Sequence, residues 1–203
     1  LGLFGAGRSA KDAAIAADIA ESTVETVTDA EAIGSFESAS EAELFEIEYW
    51  SLEQAKLGGS LRPFAGCVAV VTGGAGTIGS ATAEAFAREG AAVALLDLHM
   101  EITEQACSRI GGAALAVQCD VTDEASVRDA FDAVCERFGG LDIVVSNAGA
   151  PWQGGMADVE TEVLHRSFDL NFFAHQTVAQ NAVRVMRAQG IGGTLLFNVS
   201  KQA

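Results

Sequence analysis

Short, wholly apolar runs alternate with longer mixed segments through the last two thirds of this chain, whereas the first third has no such runs. Residues 67–72 (Cys-Val-Ala-Val-Val-Thr) are apolar at successive positions, the pattern of a strand buried on both faces. A glycine-rich stretch follows. Residues 78–88 then repeat Ala, Ile and Phe at helical spacing, with Gly90 as a stop. Residues 91–96 predict a second buried strand, ending at Asp97. Residues 114–118 predict a third, and residues 124–138 a helix with Asp123 as its N-cap. A fourth strand over 141–146 ends in Asn147-Ala148-Gly149. One long helix is predicted over 161–188 and a fifth strand over 193–198. Strands alternating with helices imply an α/β fold, a Rossmann-like doubly wound parallel sheet of about five strands with right-handed crossovers.

The first third reads differently. Residues 10–27 place Ala, Ile and Val on one side of a helix. Residues 42–56 predict a second helix carrying Leu44, Phe45, Ile47, Tyr49, Trp50 and Leu52. Gly58-Gly59-Ser60-Leu61-Arg62-Pro63 is a cluster of breakers. The expected organisation is a helical segment over 1–57, a linker over 58–65 and a nucleotide-binding domain over 66–203.

The turn after the first strand holds the most specific chemistry. Gly74, Gly76 and Gly79 satisfy G-x-G-x-x-G between a predicted strand and a predicted helix. The expected roles are a tight turn at the first glycine, close approach to a pyrophosphate at the second, and helix packing at the third. The helix start aims N–H groups and a partial positive charge at the phosphates, which makes Gly73, Thr77 and Ile78 candidate contacts too. Asp97 lies 18 residues after Gly79, near the roughly 20 expected of an acid that holds ribose hydroxyls. A carboxylate there repels a 2′-phosphate, so NAD is favoured over NADP. The alternative for Asp97 is a turn or capping residue. Asp97, Asp120, Asn147 and Ser200 all fall at strand C-terminal ends, where such sheets bind ligands.

Composition narrows the classes. The 203 residues are 49% hydrophobic with a formal charge of −16, which argues against nucleic-acid and anionic-membrane partners. Residues 1–62 hold 12 acids and 4 bases. No run is long and apolar enough for a membrane span, and no secretory signal is evident. The four cysteines (67, 107, 119 and 135) form no C-x-x-C. Cys67 and Cys119 fall in apparent strands, which suggests reduced thiols and a cytoplasmic protein. His99, His165 and His175 have no metal-ligand spacing, so no metal is expected and the histidines read as surface or helix-face residues.

Further segments carry a resemblance. Cys119-Asp120-Val121-Thr122-Asp123, Leu141-Asp142-Ile143-Val144-Val145-Ser146-Asn147-Ala148-Gly149, Phe168-Asp169-Leu170-Asn171 and the strand ending in Ser200 together resemble the short-chain dehydrogenase/reductase family, over about residues 66–203. Ser146 stands where that family carries an Asn. The resemblance implies an NAD-dependent oxidoreductase, with Leu98, Asp120, Val121, Asn147, Ala148 and Gly149 against the cofactor. A narrower likeness runs through residues 45–57, 183–190 and 197–201. It is to bifunctional proteins in which a class II aldolase domain of the rhamnulose-1-phosphate type precedes the dehydrogenase. It implies a small alcohol or hydroxy-aldehyde substrate from deoxysugar breakdown, with residues 1–57 as the aldolase tail. Thr77 departs from the family's usual T-G-x-x-x-G-x-G. The spacing instead matches the extended branch that includes nucleotide-sugar epimerases, an alternative that needs a further substrate domain.

For catalysis, the resemblance implies a Tyr acid/base, a Lys four residues later, a Ser on the substrate oxygen and an Asn in a proton relay. Ser200 and Asn171 match the last two. Taken by residue type alone, Ser200 reads as a strand-end or capping Ser, which its place in the motif reverses; the alternative for Asn171 is a helix-face polar residue. Tyr49 is the only tyrosine, and Tyr-x-x-x-Lys does not occur; the family spacing would place it near position 213. The first residue is Leu. The expectation is a fragment cut at both ends, inactive as it stands. A non-catalytic dinucleotide-binding module is the competing class. Trp152 is placed either on a substrate loop or in packing, and the helix over 161–188 is able to pair with a second subunit.

Overall fold

A computed structural model describes residues 2–7, 9–48, 62–112, 114–155 and 157–199. The chain divides into two compact units, Leu1–Pro63 and Phe64–Ala203.

The first unit is helical. Helix α1 (Ala10–Ile33) starts where the Ser9 hydroxyl accepts the Asp12 N–H at 3.1 Å. It runs one and a half turns past the predicted end. Helix α2 (Glu41–Glu48) opens on a reciprocal cap. The Ser40 N–H donates to Glu43 Oε2 at 2.8 Å and the Glu43 N–H to Ser40 Oγ at 3.4 Å. None of the described side chains of this unit is buried, and Ile15, Ile19, Val24 and Ile33 face solvent. The rest of the second predicted helix and most of the breaker cluster, including Tyr49, Trp50 and Leu52, lie outside the described residues.

The second unit is a five-stranded, all-parallel sheet flanked by helices. Along the chain run β1 (Val68–Thr72), α3 (Thr77–Arg88), β2 (Ala92–Asp97), α4 (Met100–Ile110), β3 (Ala114–Gln118), α5 (Glu124–Phe138) and β4 (Ile143–Ser146). Then come α6 (Thr161–Phe168), a π-helical turn (Asp169–Phe173), α7 (Ala174–Gln189) and β5 (Thr194–Phe197). The strand order is β3-β2-β1-β4-β5, so the winding reverses between β1 and β4. β1 and β4 are buried along their length, as is β2 up to its last residue, which explains their near-continuous apolar runs. Val70, Val71, Leu95 and Leu96 from the sheet and Phe131, Val127, Val134 and Val178 from the helices are fully buried.

The structure corrects several expectations. Cys67 and Cys119 flank β1 and β3 rather than lying in them. Burial raises the Cys119 thiol to about 11, so it acts as a small apolar group. Helix α4 was not among the predicted elements, although Ile102, Ala106 and Ile110 recur at helical spacing; Thr103 and Ala106 are its buried residues. The long helix predicted over 161–188 is interrupted by the π turn, which shifts the register before α7. Among the described residues, no helix is long and apolar enough to cross a membrane.

Candidate functional site

The C-terminal ends of β1, β2 and β4 open onto one cleft of about 1040 Å³. Its floor is the turn after β1. Gly73 has φ +63°, so the tight turn falls here, one residue before the fingerprint's first glycine. The Gly74 N–H then donates to Leu96 O at 3.2 Å. A side chain on Gly74 would place its Cβ 2.7 Å from that of Leu95, so this glycine serves close packing on β2. The Gly76 N–H donates to Gly73 O at 3.1 Å, and Gly76 is the N-cap of α3. A Cβ on Gly79 would collide with the Gly73 carbonyl, so the third glycine lets the helix press on its own loop. The compact loop keeps the first turn of α3 at the cleft. There Gly76, Thr77, Ile78 and Gly79 line the wall, and the helix geometry leaves N–H groups without intrahelical acceptors. This geometry fits a dinucleotide diphosphate.

Asp97 ends β2 and lines the same cleft. Its Oδ2 accepts the Ala75 N–H at 3.0 Å and its Oδ1 the His99 N–H at 3.2 Å. The carboxylate braces the glycine loop and lines the cavity. Leu98 and His99 line the wall beside it. Asp120 and Val121 complete that end. Asp120 Oδ1 accepts both the N–H of Thr122 (2.9 Å) and its hydroxyl (2.6 Å), an Asx turn that holds the segment over α5. Asp97 and Asp120 are the only formally charged residues among the described lining, which contains no Lys or Arg.

The far wall comes from β4. The Asn147 N–H and the Ala148 N–H both donate to Thr72 Oγ1, at 2.9 and 3.1 Å, and Thr72 is fully buried. The Asn147 amide donates to Thr72 O at 3.0 Å, and its Oδ1 accepts from Asn198 Nδ2 at 2.8 Å. Asn147-Ala148-Gly149 is thereby clasped between β1 and the residue following β5. Asn171, in the π turn, donates through Nδ2 to Ala150 O (3.0 Å) and Ser167 Oγ (3.3 Å), and accepts the Ala150 N–H at 3.2 Å. The side chain that sequence reasoning assigned to a relay thus holds the loop after Gly149. Trp152, Leu170 and Val199 also line the cleft. Ser200 lies outside the described residues.

Sequence reasoning missed Thr72, Asn198 and the contact between Ser146 and His175, whose Oγ and Nδ1 are 2.6 Å apart. Burial lowers the His175 pKa. Thr72 stood inside the strand pattern, but the partners of its hydroxyl lie 75 and 76 residues away.

Residues 67–203 match the sequence profile of the family described as short chain dehydrogenase. The chain belongs to the short-chain dehydrogenase family. Residues 1–57 match the second domain of class II aldolases, so an aldolase class II segment precedes the dehydrogenase. Over its whole length the chain is 33% identical to the uncharacterized oxidoreductase YuxG of Bacillus subtilis, of which it covers 30%. Over 68% of the chain it is 37% identical to a sorbitol dehydrogenase of Cereibacter sphaeroides, covering 54% of that protein. The 3-ketoacyl-(acyl-carrier-protein) reductase of Brucella melitensis, solved with NADH, superposes with a TM-score of 0.62 at 31% identity, over 68% of this chain and 57% of that one. The chain thus spans about half the length, or less, of these short-chain dehydrogenase relatives.

Proposed function

We propose that the cleft binds NAD and belongs to an oxidoreductase that transfers hydride between NAD and a small alcohol or hydroxy-aldehyde. The observation that carries this reading is the convergence of the glycine turn, Asp97 and Asn147-Ala148-Gly149 on one cleft at the winding reversal of a parallel sheet. When bound, the nicotinamide supplies the hydride acceptor or donor. The chain's own groups bind and orient. N–H groups over Thr77–Gly79 would face the diphosphate, and Asp97 would take the ribose hydroxyls. Leu98, Asp120 and Val121 would flank the adenine, and Asn147–Gly149 would shape the nicotinamide end. Two carboxylates with no Lys or Arg in the described lining disfavour a 2′-phosphate, which supports NAD over NADP. Ser200 is assigned to the substrate oxygen and Asn171 to holding the relay side of the site.

The substrate class rests on two similarities. One relative is a sorbitol dehydrogenase, and an aldolase class II segment precedes the dehydrogenase. A small hydroxylated compound from cytoplasmic sugar breakdown, as in the rhamnulose-type bifunctional proteins, fits both. The 203 residues contain no Tyr-x-x-x-Lys, so this stretch is expected to bind cofactor without turning it over.

Titration of NADH and NADPH against Trp emission tests the reading, because Trp152 lines the cleft. NADH is expected to quench saturably and about tenfold more tightly than NADPH, and Asp97→Ala to erase the difference, as loss of one charged contact predicts. Equal binding of both cofactors, or binding of neither, sinks the assignment.

A further inference from the structure

Behind the cleft, one imidazole touches the ends of two neighbouring strands. Ser146 is the last residue of β4 and only 3% exposed. Its Oγ lies 2.6 Å from His175 Nδ1. The His175 ring also stands edge-on to Phe197, with centroids 6.1 Å apart. Phe197 ends β5 and pairs in register with Ser146. Neither Ser146 nor His175 lines the cleft, but the residues that follow these strand ends, Asn147-Ala148-Gly149 and Asn198-Val199, do.

His175 is the second residue of α7, immediately after the π turn that carries Asn171. Asn171 grips Ala150 through both atoms of its amide. The loop over 147–150 is therefore held from two sides by one stretch of helix: directly by Asn171 and, through the end of β4, by His175. A π turn is a soft place in a helix, because its hydrogen bonds are out of the α register. A fixed point just beyond it sets where its side chains lie. The half-buried ring favours the neutral imidazole, which has one donor and one acceptor to share with a hydroxyl that is both.

We infer that Ser146 and His175 are a positioning pair, which locks the first turn of α7 to the ends of β4 and β5 and so holds Asn171 and the loop over 147–150 at the cleft. Its consequence for cofactor binding rests on the reading of the cleft given above; the positional claim does not.

Hydrogen exchange followed by mass spectrometry on the full chain tests it, with NADH titration alongside. Ser146→Ala removes one oxygen. His175→Phe keeps a ring without nitrogen, and His175→Asn keeps a polar atom near the place of Nδ1. Exchange over residues 147–150 and 169–173 should quicken roughly fivefold in Ser146→Ala and His175→Phe, the factor that loss of one neutral hydrogen bond gives. Exchange in β2 and β3 should not change. The double variant should exchange no faster than either single one, because both remove the same contact. His175→Asn should restore most of the protection. Unchanged exchange in both segments, or a uniform rise across the sheet, overturns the pair. If His175→Phe does not fold, Ser146→Ala and His175→Asn carry the same comparison. If the wild-type chain binds no NADH while the exchange pattern appears, the cofactor reading fails and the pair stands. If NADH binds and exchange does not change, the pair fails and the cofactor reading stands.

Discussion

Thr72 shows how much of this site depends on single atoms. Its Oγ1 accepts two N–H groups of the β4 turn inside a fully buried environment. Thr72→Val keeps the shape and removes the acceptor, leaving both donors unpaired. The expected loss is about 2 kcal/mol or more, read as a lower denaturant midpoint, with Thr72→Ser restoring most of it. Gly79 is a second such point. A methyl group there meets the Gly73 carbonyl, so Gly79→Ala should cost about 2 kcal/mol of stability by overpacking and also weaken NADH binding. A variant as stable as wild type, with unaltered affinity, would show that the loop has room to give. The glycine spacing was legible in the sequence. The assignment of positive φ to Gly73 was not, because the motif records which positions lack side chains and not which neighbour forbids them.

At the scale of elements, the helix after β4 departs most from its pattern. Apolar spacing over 161–188 reads as one continuous helix, yet the π turn at Asp169–Phe173 divides it. Apolar spacing by itself does not register one extra residue in a turn. Asn171 owes its reach to Ala150 to this turn, and His175 follows it. The His175 pKa is lowered in the folded chain, chiefly by burial. The unfolded chain therefore binds more protons than the folded one between the folded value and the ordinary value near 6.5, and stability rises with pH across that window. As the pH falls below about 6.5, the His175 contribution is progressively lost. The melting temperature should drop between about pH 7 and pH 5.5, and His175→Gln should flatten that part of the curve. An identical slope in the variant would place the proton uptake elsewhere.

For the whole molecule, the sheet has unequal edges. β3 is covered in part by α4, whereas β5 has three of its four residues exposed, with Phe197 at 49%. Leu196, Val199 and Ile191 are exposed close by in sequence. An exposed apolar edge invites pairing with another chain. The 203-residue protein should therefore self-associate with concentration in light scattering, and Phe197→Lys should reduce it. Monomeric behaviour at all concentrations would contradict this.

The sequence by itself determined the order of the five strands, the α/β class, the glycine turn and the family, because each is written in local periodicity or in contiguous motifs. Residues 114–118 and 124–138 were bounded to the residue, since capping and apolar spacing are short-range. Only the tertiary structure decided which polar groups meet. Thr72 serves a loop some 75 residues away, Asn198 reaches Asn147 across the sheet, and Ser146 finds His175 on a helix that begins after a π turn. The reason is physical: a hydrogen bond between distant segments is set by strand register and helix docking, and neither is encoded at the positions that make the bond.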